Sequence, residues 1–234
     1  MPVNDVFIGS EALRQGKLSP YQLRTRFHAI FPDVYVAQCT PLSLRTRSEA
    51  AWLWSGRRGV LAGLAAAVLH SLSWIDDDEA VELIWRNQHS PGGVTTRNHR
   101  VEGGEVTRVA GLPVTTPART AFDLARRLSL GDAVARLDAL MRAKPFSVED
   151  VLLIAERQPG TRGLRQLRAV LPRVDSRRRV SERDVAAAAT GRRGLADAGD
   201  ADPSSGQLSN HRPTGHGMGA IQGRHGIRRR PTPD

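Results

Sequence analysis

Aromatic residues are confined to one part of this chain of 234 residues. All eleven lie between Phe7 and Phe146, and there is none from Ser176 onward. The segment after Asp175 also has few aliphatic residues, while it carries nine glycines and eleven arginines against six acidic residues. Such a composition cannot supply a hydrophobic core. We therefore predict a folded body over residues 1–175 and a disordered basic tail over residues 176–234.

The charge balance permits nucleic-acid binding without establishing it. The chain has 34 Lys and Arg against 24 Asp and Glu, a formal net charge of +10, and only Lys17 and Lys144 are lysines. Arginine suits phosphates and guanine edges, but an arginine- and alanine-rich chain is also typical of a GC-rich genome. In the tail, the same residues fit either a DNA-binding arm or a solvated segment.

Several classes of protein are excluded by simple features. No apolar run reaches the roughly 18 residues of a membrane span, and the first residues lack the basic and apolar regions of a signal peptide. Cys39 is the single cysteine, so internal disulfides and cysteine-based zinc sites are excluded. We expect a cytoplasmic protein that makes no membrane contact and needs no cofactor.

The pattern of the body predicts an α+β fold. Strands are expected at 30–36, 80–85, 92–99 and 107–109, and helices at 10–15, 21–28, 43–54, 63–72, 113–128, 130–143, 147–157 and 162–171. We divide the chain into four parts: a winged-helix-like unit (1–42), an α/β domain (43–145), a helical linker (146–175) and the tail (176–234).

The first fifty residues indicate a DNA-binding unit. A helix, a turn, a second helix capped by Ser19-Pro20 and a strand follow one another as in a winged helix, whose second helix enters the major groove. Phosphate and base contacts would come from that helix and from the two arginines after the strand. The spacing fits an ordinary amphipathic helix equally well. The predicted DNA-binding residues are Gln22, Arg24, Thr25, Arg26, His28, Arg45 and Arg47.

Other clusters suggest no catalysis in the body. The acidic run Asp76–Glu79, with Glu82 beyond it, favours a turn or a cap over a metal site. Arg57 and Arg58 fit either phosphate contacts or a charged helix end. The histidines lack ligand spacing, and neither Cys39 nor any G-x-S-x-G turn indicates a nucleophile.

Three stretches together resemble a known family. RRGVLAGLAAAVLHSLSW (57–74), AVELIW (80–85) and VAGLPVTTPARTAFDLARRL (109–128), followed by AVARLDALMRA, are similar to the AbiEi-type antitoxins of the type IV toxin–antitoxin group and their actinobacterial relatives. The resemblance covers about residues 10–174. It implies an N-terminal DNA-binding unit, a larger α/β domain, DNA as partner and a cognate toxin as a further partner. Arg119 and Asp123, four residues apart, can pair on one helix face.

Many actinobacterial relatives resemble a fusion of this antitoxin-like part with a C-terminal domain like the very-short-patch-repair endonucleases, which hold a divalent metal through acidic residues. The tail has no such pattern. We hypothesise that it is this domain translated out of frame, because shifted codons with permitted wobble bases give ETWLRLLL and YKVAMEYDGD. The favoured function is an antitoxin-like DNA-binding protein without catalysis. The alternatives are an inactive remnant of an endonuclease fusion and a toxin-binding interaction protein.

Overall fold

A computed structural model describes residues 6–87 and 89–174 of the chain. Within these residues, strands and helices form a mixed α+β structure, which confirms the predicted fold class. The strands are β1 (Val6–Ile8), β2 (Phe27–Phe31), β3 (Val34–Ala37), β4 (Val60–Ala62), β5 (Val81–Ile84), β6 (Val94–Arg97), β7 (Val106–Val109) and β8 (Leu112–Thr115). The helices are α1 (Gly9–Arg14), α2 (Pro20–Arg26), α3 (Leu44–Trp54), α4 (Gly63–Leu69), α5 (Pro117–Arg127), α6 (Leu130–Ala143) and α7 (Val148–Arg157).

The N-terminal residues form two helices beside a small antiparallel sheet. Its three strands lie in the order β1-β3-β2. Asp33, in the turn of the β2–β3 hairpin, fixes the start of α1. Its carbonyl accepts from the Gly9 N–H at 2.9 Å and its carboxylate accepts from the Ser10 N–H at 2.9 Å. The Asp33 side chain thus caps α1. The residue before this helix, Ile8, has no side chain that could do so.

The predicted strand at 30–36 and the helix at 21–28 both need correction. Residues 30–36 contain a hairpin, because the chain reverses at Pro32 and Asp33, the latter with φ of 60°. The helix ends at Arg26, since Phe27 has extended backbone and packs its ring edge-on against Phe7 at 4.9 Å. His28 therefore belongs to β2, opposite Val36, and not to the helix.

A second, mixed sheet forms the centre of the body. Its five strands lie in the order β6-β5-β4-β8-β7, with β4 parallel to β8, β5 parallel to β6 and the other neighbours antiparallel. Helix α4 directly follows β4, and α5 follows β8 after one residue, Thr116, whose hydroxyl caps α5 ahead of Pro117. Predicted strands at 80–85, 92–99 and 107–109 are confirmed with shorter ends, whereas the sequence did not separate β8 from α5.

Helix α5 lies inside the body and contacts α4, α6 and α7. Phe122 and Leu124 are buried, and they join a hydrophobic cluster that extends from Val6 of the first sheet to Val174 at the end of the last helical segment (164–174). Burial of such side chains stabilises the fold by about 1.5–3 kcal/mol each. Leu167 is fully buried within this cluster.

Most predicted helices of the body are confirmed within a few residues. The last helical segment begins at 164 rather than 162, after a turn at Gly163. The division of the body at 42 and 145 stays a prediction. The tail at 176–234 lies outside the described residues. Among the described residues, no helix is long and apolar enough to cross a membrane.

Candidate nucleic-acid interface and buried charge cluster

The last turn of α2 presents two arginines to solvent. Arg24 and Arg26 are exposed, and within residues 6–87 and 89–174 neither side chain has an ion-pair or hydrogen-bond partner. Helix α2 is fixed at its other end by a capping box between Ser19 and Gln22, with Pro20 in the first turn. The two guanidinium groups are thus carried by a well-anchored helix and remain available to an external anion.

Two further residues predicted to bind DNA use polar atoms within α2. The Gln22 side-chain oxygen accepts from the Ser19 N–H at 2.9 Å, and the Thr25 hydroxyl donates to the Tyr21 carbonyl at 2.9 Å. If the Gln22 side-chain oxygen or the Thr25 hydroxyl proton contacted a DNA base, a hydrogen bond within α2 would be broken. His28, the fifth predicted residue of this helix, lies half-buried in β2.

Arg45 and Arg47 have different environments although only two residues separate them. Arg45 is exposed in the first turn of α3. Arg47 is half-buried, and its guanidinium donates to three backbone carbonyls, those of Asp77, Glu79 (3.0 Å) and Gly93 (3.4 Å). Arg47 therefore holds the loop before β5 against the turn before β6, and three of its five N–H donors are already engaged.

Arg57 and Arg58 also have partners within the fold. Both Nη atoms of Arg57 donate to the two carboxylate oxygens of Glu11 at 2.7 Å, which joins α1 to the turn after α3. This hydrogen bond lowers the pKa of Glu11 from its usual range. Arg58 lies over the ring of Trp85 at 5.5 Å from its centroid. These contacts fit the interpretation of Arg57 and Arg58 as a charged helix end rather than as phosphate contacts.

The acidic run before β5 acts as a turn and a cap. The Asp77 carboxylate accepts from the N–H of Leu44 at 2.8 Å, at the start of α3, and that of Asp76 accepts from the Asp78 N–H at 3.1 Å. In the described part of the chain, no group of three or more His, Cys, Asp or Glu residues is arranged to hold a metal ion.

A cluster of charged side chains surrounds α5, and we call it the arginine–carboxylate cluster. Its members are Glu82, Arg97, Glu105, Arg119, Asp123, Arg126 and Arg127. The predicted pair of Arg119 and Asp123 is confirmed, with Nε donating to the carboxylate at 3.2 Å. Asp123 also accepts from Arg126 at 2.9 Å and from Arg127 at 2.8 Å.

Two acidic members of this cluster could not be found from helix spacing. Glu105 comes from a single 3₁₀ turn before β7 and pairs with Arg119, while Glu82 comes from β5 and pairs with Arg97 at 3.0 Å and with Arg127. The partners in these pairs are at least 14 residues apart in the sequence. The sequence signal for a distant carboxylate was the position of Arg119 on the apolar face of α5. A charged side chain that is buried there needs an oppositely charged partner.

His99 lies against the basic side of the cluster. Its Nδ1 is 3.1 Å from an Nη atom of Arg126 and 3.2 Å from one of Arg127. Burial, together with the two nearby guanidinium charges, lowers the pKa of His99 to about 4. The ring is therefore neutral near pH 7, and Nδ1 accepts hydrogen bonds from both arginines.

The largely buried segment from Thr115 to Asp123 connects the second sheet to the helices packed on it. The Thr115 carbonyl lies 2.7 Å from Nε2 of His70, at the end of α4, and also accepts from the Thr120 hydroxyl at 3.2 Å. Burial lowers the pKa of His70 from its usual value. The polar side chains of this segment thus connect β8, α4 and α5, which is a structural role.

The described residues define a class of protein: an α+β body, built on a five-stranded mixed sheet, with two short helices and an antiparallel hairpin at its N-terminus. Residues 59–173 match the family described as the AbiEi antitoxin C-terminal domain. The match begins one residue before β4 and ends within the last helical segment, so it covers the second sheet and its helices. This confirms the antitoxin resemblance for that part of the chain.

Two relatives from strains of Mycobacterium tuberculosis, "Uncharacterized protein MT2308" and "Uncharacterized protein Rv2248", are similar over a shorter stretch. Each is 35% identical over 79 residues, which is 34% of this chain and 29% of the relative. The matched stretch thus spans less than a third of the length of these relatives. The hypotheses of a lost endonuclease domain and of a shifted reading frame concern residues 176–234, which lie outside the described residues, and they stay predictions.

Proposed function

We propose that this protein is a DNA-binding regulator of the antitoxin type, and that α2 of its winged-helix-like N-terminal unit enters the major groove. The observation that carries the proposal is the exposure of Arg24 and Arg26 on a helix that is capped at its start and followed by the β2–β3 hairpin. The similarity of residues 59–173 to an antitoxin domain supports the same function.

Within this proposal, six of the seven predicted residues divide into two groups. Arg24, Arg26 and Arg45 are exposed and supply phosphate or guanine contacts. Arg47 stabilises the fold through its three carbonyl partners, and Gln22 and Thr25 stabilise α2. Binding then depends strongly on salt, because each neutralised phosphate releases counterions from the duplex.

The test is a fluorescence-anisotropy titration of the full chain with duplexes from the region upstream of its own gene, repeated over a range of salt concentrations. Replacing Arg24 and Arg26 with serine should weaken binding by tenfold or more. It should also lower the slope of log affinity against log salt by about 2, since two phosphate contacts are lost. Arg142→Ser with Arg168→Ser is the matched control, because both arginines are exposed and removing them changes the net charge equally. Equal affinity and slope in the two variants would refute the assignment of α2.

A cognate protein partner is the second candidate, and Trp74 is the observation that favours it. Its side chain is 94% exposed, and its backbone is left-handed with φ of 64°, an unusual conformation for a bulky residue. Its carbonyl accepts from Arg136 of α6. An indole held in water is typical of an interface anchor. Co-purification with the product of an adjacent gene should be lost in Trp74→Ala, and retention of the partner by that variant would argue against this role.

A further inference from the structure

A cavity of about 440 Å³ lies between the loop after β6 and the segment after α7. It is lined by four arginines that are separated in the sequence, by the ring of His99 and by the side-chain amide of Gln158. The arginines are Arg100, Arg126, Arg157 and Arg162. Among the described residues, no carboxylate lines this cavity. Its volume falls within the range of pockets that hold small ligands.

Neighbouring carboxylates neutralise only some of the positive charge around the cavity. Arg157 lies 3.5 Å from Glu102 across a half-exposed contact, and Arg126 shares Asp123 with Arg119 and Arg127. Arg100 and Arg162 are exposed, and among the described residues their guanidinium groups have no carboxylate partner. An anion is therefore favoured in this cavity, and a cation is disfavoured.

Arg126 is held rigidly at this cavity. Its side chain is only 5% exposed, and its Nη atoms donate to Asp123, to His99 Nδ1 and to the Arg162 carbonyl at 3.4 Å. Its Nε is buried and has no hydrogen-bond partner within the part of the chain that the structure describes. The hydrogen bonds of its Nη atoms fix the guanidinium at the wall of the cavity, where its positive charge favours an anion.

Hydrogen bonds also hold the loops that carry Arg100 and Arg162. The Arg100 carbonyl accepts from Arg119 at 3.2 Å and lies 3.5 Å from the Gln158 amide nitrogen, so the loop after β6 is fixed to α5 and to the end of α7. The Arg162 carbonyl is fixed by Arg126 in the same way. The cavity is thus largely formed before a ligand arrives, which lowers the entropic cost of binding.

We propose that this cavity binds a phosphate group, with Arg100 and Arg162 as its solvent-facing contacts and Arg126 as a fixed positive charge in its wall. Planar guanidinium groups match phosphate oxygens in pairs, and the described residues of the wall include no carboxylate that would repel an anion. The phosphate has two sources to be distinguished, a free phosphorylated small molecule and the backbone of DNA. The cavity contains no residue of α2, so this inference does not depend on the proposed role of that helix.

The test compares the full chain with its Arg100→Ser/Arg162→Ser variant in two sets of titrations. Calorimetry with inorganic phosphate, pyrophosphate, a nucleoside monophosphate and a nucleoside triphosphate measures free ligands, and anisotropy with duplex DNA measures the backbone. Arg142→Ser/Arg168→Ser is again the control of equal charge. Both replaced arginines are exposed, so the fold should be unchanged, which circular dichroism can check.

Binding of a free phosphate compound that falls at least tenfold in the cavity variant, and not in the control, supports a small-molecule site. A selective loss of DNA affinity without binding of any free compound supports the same phosphate site with DNA as its source. The proposal is overturned if the two variants behave alike toward every probe. Arg24→Ser/Arg26→Ser, measured beside them, should keep its phosphate binding, so failure of the cavity and failure of α2 remain distinct results.

Discussion

Arg119 and Asp123 pair across one turn of α5, with both side chains fully buried and Nε of the arginine 3.2 Å from the carboxylate. The pair is the centre of the arginine–carboxylate cluster, since Glu105 adds a second carboxylate to Arg119 and two further arginines share Asp123. A buried charge is tolerated only when paired and hydrogen-bonded. The cluster therefore makes the position of α5 depend on Glu82 of β5 and on Glu105 of the 3₁₀ turn.

Replacing Asp123 with alanine should destabilise the protein strongly. The change leaves Arg126 and Arg127 without their shared carboxylate and removes one of the two carboxylates beside Arg119. Breaking a buried pair by removing one partner costs about 3–5 kcal/mol. The free energy of unfolding in urea measures the effect. Asp78→Ala, in an exposed loop, is the control and should change it by less than about 0.5 kcal/mol. A loss of similar size in both variants would show that the pairing contributes little.

Gly163 is a position that only glycine fits. Its φ is +94°, and a Cβ placed there would lie 2.2 Å from the backbone oxygen of Arg126. Because backbone on α5 cannot easily move away, Gly163→Ala should destabilise the protein by about 2 kcal/mol or more. Thermal unfolding measures this loss.

Gly131→Ala is the matched control for that substitution. Gly131 lies in α6, and a Cβ there would meet nothing within 4 Å. Since alanine is the better helix former, this variant should gain about 0.5–1 kcal/mol. If both alanine variants unfold at the same temperature, the close approach of Gly163 to α5 is not a constraint.

The elements of the body could be predicted from the sequence because their boundaries are set by neighbouring residues. Ser43, Ser129 and Ser147 each cap the helix that follows, through a hydroxyl that accepts from an N–H three residues on. The pairing of Arg119 with Asp123 is local in the same sense, because both residues lie on one helix face.

What the sequence did not reveal is set by tertiary contacts. The hairpin at 30–36 could not be separated from a single strand because its turn residue, Asp33, acts through α1. The pairing of Glu82 and Glu105 with arginines of α5 joins elements that are distant in the chain. The carbonyl partners of Arg47 are likewise 30 to 46 residues away, so an arginine that fixes a loop looked the same in sequence as one that binds DNA.

Arg47 and Arg45 should therefore respond differently to substitution by methionine. Arg47→Met removes the donor from three carbonyls, and we expect a loss of about 2 kcal/mol in the free energy of unfolding. Arg45→Met should change stability by less than about 0.5 kcal/mol and should weaken DNA binding instead. Chemical denaturation and DNA titration of both variants provide the measurements. The distinction fails if Arg47→Met is as stable as the unsubstituted chain.

Stability should fall on mild acidification because two histidines are held neutral. The folded-state pKa of His99 is about 4, against 6.5 for an unperturbed histidine, and burial lowers the pKa of His70 in the same direction. Below about pH 6.5 the unfolded chain takes up protons that the folded chain does not, so unfolding is favoured as the pH falls from about 6.5 toward 4. Above that range these groups add no pH dependence. One such histidine contributes at most about 1.4 kcal/mol per pH unit.

His99→Asn isolates the share of His99 in this effect. The asparagine amide oxygen can accept from Arg126 and Arg127 as Nδ1 does, but it does not titrate. Urea unfolding at about pH 7.5 and about pH 5 should show a loss of stability that is smaller in His99→Asn than in the unsubstituted chain by about 1–2 kcal/mol. His89→Asn, at an exposed histidine, should leave the loss unchanged. Identical losses in all three proteins would mean that His99 accepts a proton as readily in the folded chain as in the unfolded one. The two guanidinium groups beside it would then not keep its ring neutral.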